Sequence, residues 1–507
     1  MCNRASVIVS FAACVAAQQA PFPPTPQMFA DANAIIALAT VGPGNSTAWD
    51  RLAYATDTFG PRLSGSKALN DFIDWVSTTA ATVDGLKVTR EPVQVPHWVR
   101  GTEWAILESP RAKTLHFCGA GYSNSTQGAP ITASVLVVGS NAELQNRSAE
   151  AKGKIILFDW LTWEGYGNTV AFRYNAANWA AAVGGVAALF KSITPWGLQT
   201  CHTGVSATGP IASGAVSHED SLQMRRMQER GQNVVVTMYM EAQLAEPVTS
   251  YNLLIDYTAP GAAFPDELVI IGGHLDSWDL AEGAMDDGGG ILSAWEAMRL
   301  LASLKINVNR TIRAIGWVDE ESGGVGAQQY AIDYASTFPS TSFAFESDTG
   351  AFGIYGLSVT SSPDALAQLR ALAPLLQPIG SAEGIEIGGD DTDEAVLCSA
   401  GVPCAALWPY DPRVGPAANN PCLPYSSALV PPTMPFSVSD GYSASIQPAI
   451  LFAPTTSPST NTSLCHTIKC STITLPQTLW IRWTLRSCKS LPRLMRCGRR
   501  RLPICPR

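Results

Sequence analysis

The 507-residue sequence predicts an α/β fold with an inserted α+β module, on three observations. From Tyr251 onward, apolar strands alternate with helical segments: ELVIIGGH, GGGILSAWEAMRLLASL, TIRAIGWVDE, VGAQQYAIDYAS and SFAFESD. Alternation of this kind builds a sheet with helices on its faces. Between about residues 110 and 248 the pattern changes. There the short β-rich runs ASVLVVG, KIILFDW, VAALFK and NVVVTMYMEAQ are separated by the helical stretches YNAANWAAAVGGVAA and HEDSLQMRRMQERG. Third, the length allows two to four domains at roughly 100–200 residues each, enough for a host and an insert.

Taken in order, Met1 to Ala17 reads as a secretory signal. Arg4 supplies the positive start, Ala5 to Val15 the apolar run, and Val15-Ala16-Ala17 the small residues for cleavage before Gln18. The run is too short to span a bilayer, and no later stretch of ~20 apolar residues follows. Sequons at Asn45, Asn124, Asn146, Asn309 and Asn461 agree with export to an oxidising, glycosylating space. A secreted, extracellular protein without a membrane span is expected.

Next come three helical patterns: FADANAIIALA, then AWDRLAYATDTFG with Ser46 or Thr47 as N-cap and Gly60 as stop, then SKALNDFIDWVSTTA. LKVTREPVQVPHWVRGTEWAIL alternates as strands do. The division expected is a signal at 1–17, a first part of the host domain at 18–109, the insert at 110–248, the rest of the host at 249–413 and a tail of different character at 414–507.

Composition narrows the function. There are 33 Lys+Arg against 42 Asp+Glu, a net charge of −9, and only 15% charged residues beside 46% hydrophobic ones. A disordered chain is excluded, and the acidic balance argues against nucleic acid as a partner. Of the 12 cysteines, Cys118 and Cys201 fall in the insert and Cys398 and Cys404 in the host. Either pair could be bridged, and spacing alone leaves that open.

Three segments carry chemistry, each following an apolar strand, where α/β sheets place their ligand crevice. In VIIGGHLDSWDLAEGAMDDGGG, His274 and Asp276 share a side of an extended chain, and Asp286 follows in a glycine-rich loop. Asp287 beside it reads as a partner behind the ligands or as a point of backbone strain at the turn. WVDEESGG ends a strand on Glu320 and Glu321, which point in different directions, so one can bind metal while the other faces substrate. FAFESDTG places Asp348 at the end of a third strand. Carboxylates with an imidazole suit zinc. A carboxylate shared between two ions would make a two-metal hydrolase, with the free glutamate as general base. GGDDTDE lacks the spacing of a calcium loop, so Asp390 and Asp391 are read as a loop near the substrate pocket, with plain surface as the alternative. His97, His116, His202 and His218 fall away from the strand ends and read as structural.

These segments resemble the M28 family of zinc exopeptidases. HLDSWDLAEGAMDDGGG, WVDEESGGVGA, ESDTG and the upstream VPHWVRGTEW resemble its carboxypeptidase Q branch over roughly residues 27–413. The resemblance implies a phosphorylase/hydrolase-like peptidase domain with an inserted protease-associated (PA) domain, and two zinc ions. It implies that His274 and Asp348 hold one zinc, Glu321 the other and Asp286 both, with Glu320 as proton shuttle and Asp276 as the partner of His274. Short peptides are the implied substrates, and a homodimer is compatible with the family. The runner-up is a non-catalytic binding protein of the same architecture, as in the transferrin-receptor branch; retention of His274, Asp286, Glu320, Glu321 and Asp348 favours the enzyme.

The tail departs from the family. After AGVPCAALWPYDPR the family supplies a last zinc-binding histidine in a segment resembling HHSxADTxxxxDP, and none is found here, which leaves the second site incomplete. After Asp440 there is no Asp or Glu but ten basic residues, so the remainder carries 23 Lys+Arg against 42 Asp+Glu. The genetic code suggests a cause. If residues 471–488, STITLPQTLWIRWTLRSC, are read one base earlier, Trp480 before Ile481 must become Asp, and so must Trp483 before Thr484. Permitted codons then spell Tyr-His-His-Leu-Ala-Ala-Asp-Thr-Val-Asp-Lys-Val-Asp-Pro-Ala-Glu-Leu, the missing motif. Residues 414–507 are therefore expected to be intron-derived or out of frame.

Overall fold

The computed structural model describes residues 21–408, apart from 43–44, 164, 195–196, 203, 349, 351–352, 382–383 and 390–391. The signal reading, Asn461, Asp390, Asp391 and the tail lie outside the described residues.

Two eight-stranded sheets organise the described chain. The first runs, edge to edge, Leu86–Val99, Gln243–Tyr257, Arg310–Trp317, Phe264–His274, Thr341–Glu346, Cys404–Trp408, Gly356–Thr360 and Gly384–Ile387. Its centre is parallel: Phe264–His274 pairs in parallel with Arg310–Trp317 on one side and with Thr341–Glu346 on the other. Such strands are covered on both faces, so successive apolar side chains feed two cores. Leu253, Ile255 and Tyr257 enter the core beneath the helices Thr47–Phe59, Lys67–Ala80 and Gly289–Leu304, around Phe72 and Trp295. Leu254 enters the opposite core, with Trp317 and Tyr330 beneath Val325–Asp333.

Local signals explain the helix ends. The Ser66 side chain accepts from the Leu69 N–H and opens Lys67–Ala80. Gly60, at φ 63°, closes Thr47–Phe59, as an L residue would do only with strain. The preceding helix, Pro26–Thr40, buries none of its residues despite its apolar sequence.

The second sheet runs Lys113–Thr114, Glu103–Ser109, Val235–Met240, Ile131–Val138, Ile155–Phe158, Ala187–Lys191, Ser213–Val216 and Phe117–Gly119. The helices Tyr166–Ala182 and His218–Glu229 flank it. Chain continuity passes between the sheets twice: Leu86–Val99 leads into Glu103–Ser109, and Val235–Met240 returns into Gln243–Tyr257. Both candidate cysteine pairs are bridged, Cys118 to Cys201 and Cys398 to Cys404.

Candidate metal centre

The parallel register assembles the site. His274 pairs with Trp317 and Gly272 with Glu346, so the three strands end level. The residues just past those ends therefore meet: Asp276, Asp286, Glu320, Glu321 and Asp348 gather around His274.

His274 is completely buried. Its Nδ1 lies 3.1 Å from the backbone oxygen of Asp276, an acceptor only, so Nδ1 carries the proton. Nε2 then faces the carboxylates, 3.1 Å from Asp286 Oδ1, 3.3 Å from Asp348 Oδ1 and 4.0 Å from Glu320 Oε2. The Asp276 carboxylate does something else. Its Oδ1 accepts from the Glu320 N–H at 3.1 Å and its Oδ2 from the Glu321 N–H at 3.3 Å. Asp276 thus ties the first segment to the glutamate pair through the backbone, while its carbonyl sets the histidine tautomer.

Asp287 braces the loop. Its Oδ2 accepts from the His274 N–H at 2.9 Å and its Oδ1 from the Gly290 N–H at 3.0 Å. A Cβ at Gly273 or Gly290 would collide with this carboxylate, and one at Gly290 also with the Ser347 carbonyl. The glycines are there for close approach.

Two sets of donor atoms converge within 4.8 Å: His274, Asp287 and Asp348, and His274, Asp286 and Glu321. Asp348 Oδ2 accepts from the Thr392 hydroxyl at 3.1 Å. Glu320 Oε2 is buried with no hydrogen-bond partner among the described residues. Burial pushes Glu320, Glu321 and Asp348 above the ordinary carboxylate range. The Asp348 charge adds to this at Glu320, and the Asp286 charge at Glu321, with His274 opposing both. Burial alone would lower His274, but Asp348, Asp276 and Asp286 hold it well above the usual imidazole value. An imidazole whose Nε2 faces buried carboxylates at mutual cost is a donor set that a divalent cation of the zinc class fits, the cation taking the place of the Nε2 proton.

Of the residues singled out in the sequence, the structure brings His274, Asp276, Asp286, Glu320, Glu321 and Asp348 together. The GGDDTDE loop reaches the same place through Thr392, and Asp393 and Glu394 donate backbone N–H groups to Glu346 Oε2 at 2.8 and 3.2 Å. Asn45, Asn124, Asn146 and Asn309 are exposed, although the Asn124 side chain donates to the Gly209 carbonyl at 2.6 Å. His116 sits against Asp220, His218 against the Ser192 carbonyl and His202 against Arg173.

Sequence reasoning missed three residues. Arg62 is fully buried and donates to the carbonyls of Leu275, Glu282 and Gly283 at 3.0, 2.9 and 2.8 Å, clamping the loop after His274. Arg100 grips the same loop through Asp279. Tyr166, on a helix of the second sheet, accepts from Arg173 at 3.0 Å. Burial raises its phenol against the opposing Arg173 charge, and the charges of Glu321 and Asp286 add to the rise. No motif announces Arg62 or Tyr166, and VPHWVRGTEW, which contains Arg100, gives no sign of what that arginine holds.

Residues 252–425 match the family model of Peptidase family M28. Carboxypeptidase Q of Xenopus laevis is 39% identical over 381 residues, covering 74% of this chain and 80% of that protein, and Carboxypeptidase Q of Homo sapiens matches to the same extent. Among solved structures, a peptidase M28 precursor from Shewanella amazonensis superposes with a TM-score of 0.68 at 28% identity, covering 75% of this chain and 87% of that one. A zinc aminopeptidase from Bacillus subtilis, at 21% identity and a TM-score of 0.53, covers 72% of this chain and 85% of its own, and shares the fold.

Proposed function

From the premise that the chain belongs to peptidase family M28, close to the carboxypeptidase Q proteins, and hydrolyses peptide bonds, we propose a secreted zinc exopeptidase of short peptides with two metal positions. The observation that carries it is His274: Nδ1 fixed by the Asp276 carbonyl, Nε2 turned to Asp286 and Asp348, and Glu320 Oε2 unpartnered on the same side.

In this reading His274, Asp348 and Asp286 would hold one ion, and Glu321 with Asp286 would supply the second position. Zinc at such a site lowers the pKa of water and polarises the scissile carbonyl. Glu320 accepts a proton from the attacking water and returns it to the leaving amine; burial, which raises its pKa, suits it to both tasks. Asp276 orients Glu320 and Glu321 by their backbone N–H groups. The second sheet is read as the protease-associated insert.

The tail bears on activity. We read residues 414–507 as translated out of frame, so that the chain as written lacks the last histidine of the second metal position. Transcript sequencing tests this; a message encoding residues 414–507 continuously in the present frame would sink it. The enzymatic test is a screen of dipeptides and of end-blocked substrates, with metal analysis, on this chain and on a frame-corrected one. In the active form, Glu320→Gln should cost roughly 10²–10⁴ in turnover while zinc content stays constant. Retained turnover excludes Glu320 as the base.

A further inference from the structure

We infer that the second sheet is a working arm of the metal centre: Arg100 and Trp278, acting through Asp279 and Asp276, are positioning residues that set where Glu320 and Glu321 stand. This rests on the metal reading above. The loop that follows His274 leaves the first sheet and docks on the second. Trp278 is 8% exposed and belongs to the hydrophobic core of the second sheet, with Trp98 and Met240. Its ring lies on Gly121, where any Cβ would collide with it, and it meets Tyr122 edge-on at 6.5 Å.

The next residue, Asp279, is held by a two-pronged bond from Arg100: Nε to Oδ2 at 2.6 Å and Nη2 to Oδ1 at 2.8 Å. Arg100 stands at the first crossing between the sheets. It is itself fixed by the Gly119 carbonyl at 2.6 Å, by Glu103 at 3.2 Å, and by stacking 4.9 Å from the Trp98 ring centre. A planar guanidinium gripping a carboxylate this way specifies an orientation as well as a charge. Asp276 is two residues before Trp278 and three before Asp279. It is the residue whose two oxygens receive the Glu320 and Glu321 N–H groups. The path is therefore short and continuous: second sheet, Arg100, Asp279 and Trp278, Asp276, glutamate pair. Arg62, between the helices Thr47–Phe59 and Lys67–Ala80, clamps the other side of the loop, so the loop has one anchor beside each sheet.

The test is Zn²⁺ affinity, measured by chelator competition on the full chain, with the visible absorption of the Co²⁺ form as a report on ligand geometry. Asp279→Asn should weaken Zn²⁺ binding by about tenfold or more and change the Co²⁺ spectrum, the range typical of residues that orient metal ligands. Arg100→Lys keeps the charge and loses the fork, and should give a smaller loss in the same direction. Lys113→Met is the control, because it breaks the buried Lys113–Asp220 pair elsewhere in the second sheet. It should lower the melting temperature and leave Zn²⁺ affinity and the spectrum alone. If Asp279→Asn gives no cooperative melting transition, Arg100→Lys decides. Parental affinity in the substituted chains, or equal weakening by Lys113→Met, overturns the inference. A parent chain that binds no Zn²⁺ overturns the metal reading itself.

Discussion

The two sheets bury carboxylates in opposite ways. In the second, Asp159 lies between Lys191, at 2.9 Å, and Arg225, and Asp220 lies against Lys113 and His116. Burial would raise both, but the cations hold them below the ordinary carboxylate range. In the first sheet, away from the strand ends, Asp256 is likewise paired with Arg313 at 2.7 Å and Glu296 with Arg51 at 2.9 Å. At the strand ends the rule reverses: Glu320, Glu321, Asp348 and Asp393 are all pushed up by burial. Identical side chains under similar burial thus divide by partner. Those paired with a lysine or arginine fasten the fold, and those gathered around His274 are the candidate ligand donors.

The strongest way to break this contrast is to remove a cation from the structural side. Lys191→Met leaves Asp159 with Arg225 alone and should cost about 3 kcal/mol, the low end for breaking a buried pair. Urea unfolding followed by a signal from the second sheet measures it, and a neutral result would mean that Asp159 is not held by charge. The functional side should answer with the opposite sign. In the presence of a chelator, Glu320→Gln should stabilise the protein by about 1 kcal/mol, because burial and the Asp348 charge disfavour this carboxyl group by more than His274 offsets. A loss of stability on that substitution would count Glu320 among the structural carboxylates.

The comparison is sharpened further through pH. Burial holds His202 down to about 3, with the charge of Arg173 contributing, against about 6.5 in an unfolded chain. Between those values the unfolded chain binds the extra proton, so stability conferred by a neutral His202 is present above about pH 6.5 and drains as pH falls toward 3. His202→Asn should flatten that part of the melting-temperature profile. An unchanged slope would move the acid sensitivity to another group.

The convergence of the candidate site residues was legible in the sequence because three apolar strands each end on the residues that meet. A parallel sheet aligns such ends whatever the intervening loops do. The helices around Trp295 and Phe72 were legible for a related reason: the apolar spacing and the Ser66 and Gly60 signals are local. What stayed hidden depends on segments far apart in the chain. Nothing near Arg62 or Arg100 shows that each will hold the loop after His274. Period-two reasoning placed Asp276 on the side of His274, but could not show that its carboxylate would turn to Glu320 and Glu321 while its carbonyl served the imidazole. The division at residue 110 followed a change of pattern, whereas the strand Glu103–Ser109 pairs within the second sheet with Val235–Met240.

The two disulfides differ as cross-links on a polymer. Cys398–Cys404 closes a separation of 6 residues and Cys118–Cys201 one of 83. In chain-entropy terms the short ring restricts the unfolded molecule by about 2 kcal/mol and the long one by about 4.5 kcal/mol. The long ring encloses the strands Ile131–Val138, Ile155–Phe158 and Ala187–Lys191 with the helix between the last two, three of the eight strands of the second sheet. Made in a reducing cytosol, the molecule would forgo that restraint on the one sheet that also anchors Asp279. The choice of expression compartment is thereby a choice about how firmly the loop after His274 is held.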